Sequence, residues 1–116
     1  MTAMISLDMK KKRIRIHKQT LHLLSDPRYI YIWVHPEDKV LAICVCDKYS
    51  KDAVKTVQKR ECEIYSTNLF AELRRLQPDW SNNCTYRVHG TIENTNMIAK
   101  FYLCNNSIGV NNRLAE

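Results

Sequence analysis

Apolar and polar side chains alternate near the start of the chain, and this alternation predicts a strand. In residues 13–17, Ile14 and Ile16 stand between charged or polar neighbours, which is the period-two pattern of a strand that buries one face. Residues 20–24 follow with leucines spaced for one face of a short helix. Pro27 ends that helix, because the residue before a proline avoids the helical conformation.

Two more strands are predicted after this helix. Residues 29–34 alternate aromatic and aliphatic side chains, which is typical of a strand. Residues 40–46 form a continuous apolar run, which favours a strand buried on both faces. The polar residues 36–39 between them have the composition of a turn.

The same order of elements returns in the second half of the chain. Residues 62–65 repeat the pattern of residues 14–17 at an offset of 48. Ser66 is a suitable N-cap for a second short helix, and Pro78 ends that helix. Residues 85–103 then predict two strands joined by a polar turn.

These patterns predict an α+β fold with two βαββ halves, in a small barrel-like or paired-sheet arrangement with two short helices. We assign one domain to residues 1–104, with pseudo-repeats at about 10–46 and 61–104, a connector at 47–60, and a flexible polar tail at 105–116. The repeated order fits a true duplication, and it also fits a small α+β protein that shows this order by chance.

The charge of the chain is concentrated in its first half. The whole chain of 116 residues carries +6. Residues 1–60 hold 13 basic and 6 acidic side chains, a net +7, whereas residues 61–116 hold 5 and 6, a net −1. A localised basic surface favours nucleic acid, an acidic protein or an anionic membrane as a partner.

The chemistry that the sequence carries is sparse. Only 2 glycines are present, which leaves no Gly-rich loop for a phosphate and argues against most nucleotide-binding enzymes. No nucleophile, base and orienting group can be assembled from the pattern, so we expect no enzyme activity and no cofactor. Cys44 and Cys46 share a strand face, and without a Cys-x-x-Cys motif we interpret them as buried thiols rather than metal ligands.

The sequence also predicts a compartment. The N-terminal residues reach a lysine run without the apolar stretch of a secretory signal, and no apolar segment approaches the ~20 residues of a membrane helix. Five cysteines at irregular spacing fit reduced thiols better than a disulfide framework. We therefore expect a cytoplasmic protein with no membrane contact.

The densest group of charges offers the first candidate site. Six cations lie within nine residues, enough to neutralise several phosphates. The candidate nucleic-acid-binding residues are Lys10, Lys11, Lys12, Arg13, Arg15 and Lys18. We predict a flexible basic arm that continues into a strand and contacts DNA; the alternative is an edge strand that charge protects from aggregation.

An aromatic strand face and a lysine repeat in the connector are two further candidate surfaces. Tyr29, Tyr31 and Trp33 share one strand face and are predicted interface residues, for which burial or self-association is favoured over stacking on bases. Lys51, Lys55 and Lys59 would form a basic stripe only if the connector had helical turns, and such a charge run is usually a solvated face.

The first half resembles a known family. Residues 13–18, the leucines of the first helix, residues 29–34 and residues 36–43 together resemble the AbrB-type swapped-hairpin pattern of bacterial DNA-binding regulators. Fused double copies of that unit are similar to MraZ-like double-split barrels. The resemblance implies that Arg13, Arg15 and Lys18 engage DNA. The chain departs from the pattern where His17 replaces the proline of the usual Ile-Pro-Lys step and where Asp26-Pro27-Arg28 replaces the usual Gly-Asp turn.

Two function classes therefore remain. The first is a small, non-catalytic regulator that uses the basic first half to bind double-stranded DNA, either as a monomer or as a homodimer. The second is a protein-binding inhibitor of a host nucleic-acid enzyme, similar to an anti-CRISPR protein. The chain as a whole resembles small proteins of Gram-positive mobile elements, among which both classes are common.

Overall fold

Strands make up most of the regular structure. The structure is a computed structural model that describes residues 2–103 and the backbone of residues 107–111. The strands are β1 (Ala3–Asp8), β2 (Arg13–Ile16), β3 (Tyr29–His35), β4 (Val40–Cys46), β5 (Val54–Lys55), β6 (Cys62–Tyr65), β7 (Cys84–Glu93), β8 (Ile98–Tyr102) and β9 (Ser107–Asn111). The helices are α1 (Lys18–Leu23) and α2 (Thr67–Leu76).

The strands form one curled antiparallel sheet, a half-barrel. Its order is β5-β3-β4-β8-β7-β1-β2-β6, and β9 pairs with β7 outside this path. The predicted α+β class with two short helices is confirmed. The curl is open between the end strands β5 and β6, where Ile32, Val54, Ile64 and Leu69 line a cavity of about 410 Å³.

The concave face of the sheet holds the core, because each strand turns its alternate apolar side chains to that side. Both helices pack there. At the start of α2 the Ser66 hydroxyl accepts a hydrogen bond from the Leu69 amide at 3.1 Å, as an N-cap does. The core residues here are Leu21 of α1, its C-cap Leu24, and Phe70, Leu73 and Leu76 of α2. Residues from both halves of the chain thus share one hydrophobic cluster.

The N-terminal residues are a central strand rather than an arm. β1 lies between β2 and β7, and Ile5 and Leu7 are fully buried. Its alternation of apolar and polar side chains was present in the sequence but covers only six residues. The expectation of a flexible basic arm is wrong, because pairing on both edges fastens β1 and leaves Lys10, Lys11 and Lys12 in the turn to β2.

The connector contains turns and the short strand β5, so the predicted helical turns are absent from it. The Thr56 amide donates to the Arg28 carbonyl at 2.9 Å, and the Thr56 hydroxyl donates to the Pro27 carbonyl at 2.5 Å. These bonds hold the segment extended beside β3. Lys51, Lys55 and Lys59 consequently do not form a helical stripe.

Part of the predicted tail pairs with the sheet. β8 pairs with residues 90–93 of β7, and β9 pairs with residues 84–88 on the same strand. β9 therefore covers the length of β7 that β8 leaves unpaired. Cys104, residues 105–106 and residues 112–116 lie outside the described residues.

The strand expected to be buried on both faces is β4, and this is confirmed for Val40–Cys44. Leu41 and Ile43 face the core, while Ala42 and Cys44 are covered on the outer face, at 4% exposure each. Their cross-strand neighbours carry larger side chains: Trp33 and Lys100 lie beside Ala42, and Tyr31 and Ile98 lie beside Cys44. Among the described residues, the helices include none with the length and apolar character that a membrane crossing requires.

Candidate nucleic-acid interface

The two predicted arginines on β2 are paired with carboxylates. Arg13 lies 3.2 Å from Asp8 on β1 and 3.0 Å from Glu63 on β6. Arg15 lies 3.2 Å from Glu61 and 3.6 Å from Glu63. The positive charge of both guanidinium groups is therefore balanced locally on the outer face of the sheet.

The pairing follows from the register of β2 and β6. Arg15 lies directly opposite Glu63, and β2 lies between β1 and β6. The edge-strand interpretation of Arg13 and Arg15 is wrong, because β2 has a partner on each side. A signal for the pairing existed in the sequence: Glu61 and Glu63 alternate with apolar residues in the same two-residue period as the arginines, as complementary cross-strand pairs do.

The first three lysines of the predicted group form the turn between β1 and β2, and we call Lys10, Lys11 and Lys12 the lysine turn. The buried Asp8 carboxylate accepts hydrogen bonds from the amides of Lys10 and Lys11 at 3.1 and 3.0 Å. Lys12 has a φ of 54°. The backbone of the turn is held, while all three side chains are exposed.

Lys18 lies in a second group of cations at the other end of β2. Lys18, Lys59 and Arg60 line a shallow cleft beside α1, and Arg28 and Lys55 lie next to its residues Pro27 and Thr56 in the chain. We call this group the basic edge, and it consists of Lys18, Arg28, Lys55, Lys59 and Arg60. The Thr56 bonds to Pro27 and Arg28 bring the connector to this position.

The basic edge differs from β2 in its charge balance. All five of its side chains are exposed, and within the described part of the chain none of them has a carboxylate within ion-pair distance. The nearby Asp26 pairs with His22 at 3.1 Å. Sequence reasoning found Lys18, weighed Lys55 and Lys59 only as part of a solvated charge run, and missed Arg28 and Arg60, although all five contribute to the excess charge of the first half.

The predicted interface aromatics lie on the outer face of β3, and we call Tyr29, Tyr31 and Trp33 the aromatic row. Trp33 is 54% exposed and the two tyrosines are partly exposed. The row is outside the core, since the sheet is covered by helices only on its concave face. Its accessible rings can therefore contact another molecule.

A groove borders the aromatic row on the same face. It has a volume of about 230 Å³, and Trp33, His35 and Tyr102 form its walls. The small side chain of Ala42 lies at its floor. The rim carries the ion pair of Lys100 and Glu93, at 2.9 Å, which lowers the pKa of the Glu93 carboxyl and raises that of the Lys100 ammonium.

His17 joins the paired region of the outer face. Its Nε2 lies 2.9 Å from the Ser6 hydroxyl. Burial lowers the pKa of His17, and the cations Arg15 and Arg87 add to this effect against the opposing charge of Glu61. The ring is consequently held neutral at neutral pH and adds no charge to the interface.

The cysteines described by the structure are free thiols. Cys44 and Cys62 are buried, and burial raises the pKa of both thiols. Across the described residues, no three His, Cys, Asp or Glu side chains gather in a way that would hold a metal ion. Comparisons with protein-family models, with curated proteins and with solved structures found no match to this chain.

Proposed function

We propose that the protein is a non-catalytic, small DNA-binding regulator whose phosphate contacts come from the lysine turn and the basic edge. One observation carries the proposal: these cations are exposed and without carboxylate partners in the described structure, whereas Arg13 and Arg15 are paired. Unpaired surface cations release condensed counterions from DNA at no cost in broken ion pairs.

The spacing of the two groups supports binding to a duplex. Lys12, the last residue of the lysine turn, lies six positions before Lys18, so the two Cα atoms are at most about 20 Å apart at ~3.3 Å per residue. The major groove of B-DNA is about 12 Å wide. The two groups can therefore reach phosphates on both sides of one groove.

The AbrB-type resemblance assigns DNA contacts to Arg13, Arg15 and Lys18, and this assignment stays a prediction. For Arg13 and Arg15 it requires the guanidinium groups to break their ion pairs with Asp8, Glu61 and Glu63. We infer that Lys18 contacts phosphate directly and that the two arginines align β2 with β6.

Charge reversal at the basic edge tests the proposal. Lys59→Glu with Arg60→Glu should weaken binding to duplex DNA and reduce the slope of log K against log salt by about 2, since each phosphate contact contributes about 0.9. Fluorescence anisotropy at low and physiological salt measures both quantities. Arg74→Glu with Arg75→Glu on α2 makes the same change in net charge outside the two cation groups. An equal loss in this control, or no duplex binding by the wild type at low salt, contradicts the proposal.

A second candidate is the protein-binding inhibitor of a host nucleic-acid enzyme. The groove between Trp33 and Tyr102 favours it, because these side chains are 54% and 42% exposed and large aromatic residues at the surface are typical hot spots of protein interfaces. Absence of duplex binding together with tight binding to a nucleic-acid enzyme would favour this function over the first.

We further propose that the chain contains two related halves. The predicted βαββ units correspond to the order β2-α1-β3-β4 and β6-α2-β7-β8, and the pairings β2 with β6 and β4 with β8 join equivalent strands. β1 and β5 each precede a unit and each pair with a strand of the other one. Each half thus contributes one strand to the sheet of the other half, which supports a duplicated unit whose two copies are intertwined.

A further inference from the structure

One end of the aromatic row meets the basic edge. Tyr29 on β3 lies directly opposite Lys55 on β5, and opposite residues of an antiparallel pair point to the same face. Arg28 immediately precedes Tyr29, and its carbonyl accepts the amide hydrogen bond of Thr56. The rings and the cations therefore form one continuous surface.

The rings of the row are accessible on the outer face of the sheet. Trp33 is 54% exposed, and Tyr29 and Tyr31 are partly exposed. Tyr31 lies opposite Cys44 on β4, and the neighbouring thiol raises the pKa of Tyr31. Trp33 makes a T-shaped contact with His35, with ring centroids 5.4 Å apart, and most of its exposed surface stays open to a ligand.

The spacing of the row selects the kind of ligand. Alternate residues of a strand are about 6.7 Å apart, which is twice the ~3.4 Å rise of stacked bases in one strand of B-DNA. Successive rings of the row therefore match bases that are separated from one another. Only an unpaired strand can present its bases in this way, since a duplex keeps them stacked inside.

We propose that the aromatic row and the basic edge bind single-stranded nucleic acid, with unpaired bases stacked on Tyr29, Tyr31 and Trp33 and phosphates held by Lys55 and Arg28. The proposal rests on the proposed function and names a second class of ligand for the same cations. Stacking on aromatic side chains beside a positive surface is the general physical basis of sequence-tolerant single-strand binding.

Charge complementarity favours nucleic acid over a protein or a second copy of this chain as the occupant. The cations at the Tyr29 end have no carboxylate partners in the described structure, and a strand of phosphates supplies negative charge at every nucleotide. The acidic side chains of the groove lie at the opposite end of the row, around Trp33. Base edges, which carry amino donors, can contact Glu93 and Asp38 there.

The test measures binding of labelled oligothymidine and oligouridine of about 12 nucleotides, and of a duplex of the same length, at about 50 and about 200 mM salt. Trp33→Ala should weaken single-strand binding about tenfold and leave duplex binding unchanged. Tyr31→Ala should act in the same direction, and Trp33→Phe should restore most of the affinity because it keeps an aromatic face. The two oligonucleotides distinguish DNA from RNA as the source of the strand.

Tyr49→Ala is the matched control, because Tyr49 is an 83% exposed aromatic residue outside the row. Circular dichroism checks that each variant folds, and light scattering measures its oligomeric state. The proposal is overturned if Trp33→Ala does not weaken single-strand binding, or if Tyr49→Ala weakens it equally. Duplex binding in the same assay would show that the proposed function still holds. A wild-type dimer that Trp33→Ala dissociates, without an effect on oligonucleotides, overturns it in favour of self-association. Absence of binding to every oligonucleotide at low salt overturns both proposals.

Discussion

Thr20 shows how one buried side chain completes the sheet where a strand has ended. Its hydroxyl accepts a hydrogen bond from the Met4 amide and donates one to the Met4 carbonyl, both at 2.8 Å. Beyond Ile16 the paired strand β2 has ended, so the hydroxyl takes over part of the pairing that the strand would supply. α1 is thereby fixed on β1.

Thr20→Val keeps the shape of the side chain and removes both hydrogen bonds. We expect it to lower the free energy of unfolding by about 1–3 kcal/mol, because the half-buried Met4 amide loses its acceptor, whereas the Met4 carbonyl retains a 3.4 Å hydrogen bond from the His17 amide. Urea denaturation followed by circular dichroism measures this change. Thr20→Ser keeps the hydroxyl and loses one methyl, at about 0.8 kcal/mol. A valine variant at least as stable as the serine variant would contradict the assigned role.

The residues of the candidate site were only partly predictable. Arg13, Arg15 and Lys18 are equally basic in the sequence, and nothing local separates them. Their difference arises from the residues beside them in the fold: Glu61 and Glu63 reach Arg13 and Arg15, whereas Lys18 lies among other cations.

Among the elements, β7 and β8 show a close approach at Gly90. Gly90 lies opposite Phe101, and a Cβ atom at this position would lie 2.5 Å from Phe101 Cδ1 and would also meet the Lys100 carbonyl oxygen. A glycine inside a strand marks such an approach. Here it allows the buried Phe101 ring to lie over the backbone of β7.

Gly90→Ala should therefore destabilise the protein although alanine suits a strand no worse than glycine. We expect a loss of about 1–3 kcal/mol in the free energy of unfolding, as for other overpacked positions. Chemical denaturation provides the measurement, and Thr91→Ala, an exposed neighbour on the same strand, serves as the reference. If both variants unfold at the same denaturant concentration, the close contact between residue 90 and Phe101 does not limit which side chain is tolerated there.

Most elements were predictable because their signals are local. Alternation identified β2, β3 and β6, the N-cap Ser66 and Pro78 delimited α2, and a continuous apolar run identified β4. β1 and β5 were missed for different reasons. β1 is a short alternation next to a conspicuous lysine run, and β5 is extended because Thr56 bonds to the α1–β3 loop, which no local pattern shows.

For the molecule as a whole, the decisive feature is that the two halves exchange strands. β1 pairs with β7 and β5 pairs with β3, while β2–β6 and β4–β8 join the halves directly. Each half contributes to the same hydrophobic cluster. Each half therefore buries part of its apolar surface against the other half.

A break in the exposed turn after β4 tests this interdependence. Fragments 1–50 and 51–116, expressed together with a tag on one of them, should copurify as a folded complex, because four strand pairings cross the break. Each fragment expressed alone should lack a cooperative thermal transition in circular dichroism. A cooperative transition in either isolated fragment would show that the halves fold independently.

The amino-acid sequence was sufficient for the class of the fold, for most strand positions and for the location of the excess charge in the first half. These properties depend on neighbours within a few residues. The tertiary structure decided which cations remain without carboxylate partners and which face of β3 is open. Those outcomes depend on pairings between distant segments, such as Arg13 with Glu63 across 50 residues, and a sheet register of that kind is set by the packing of the whole core.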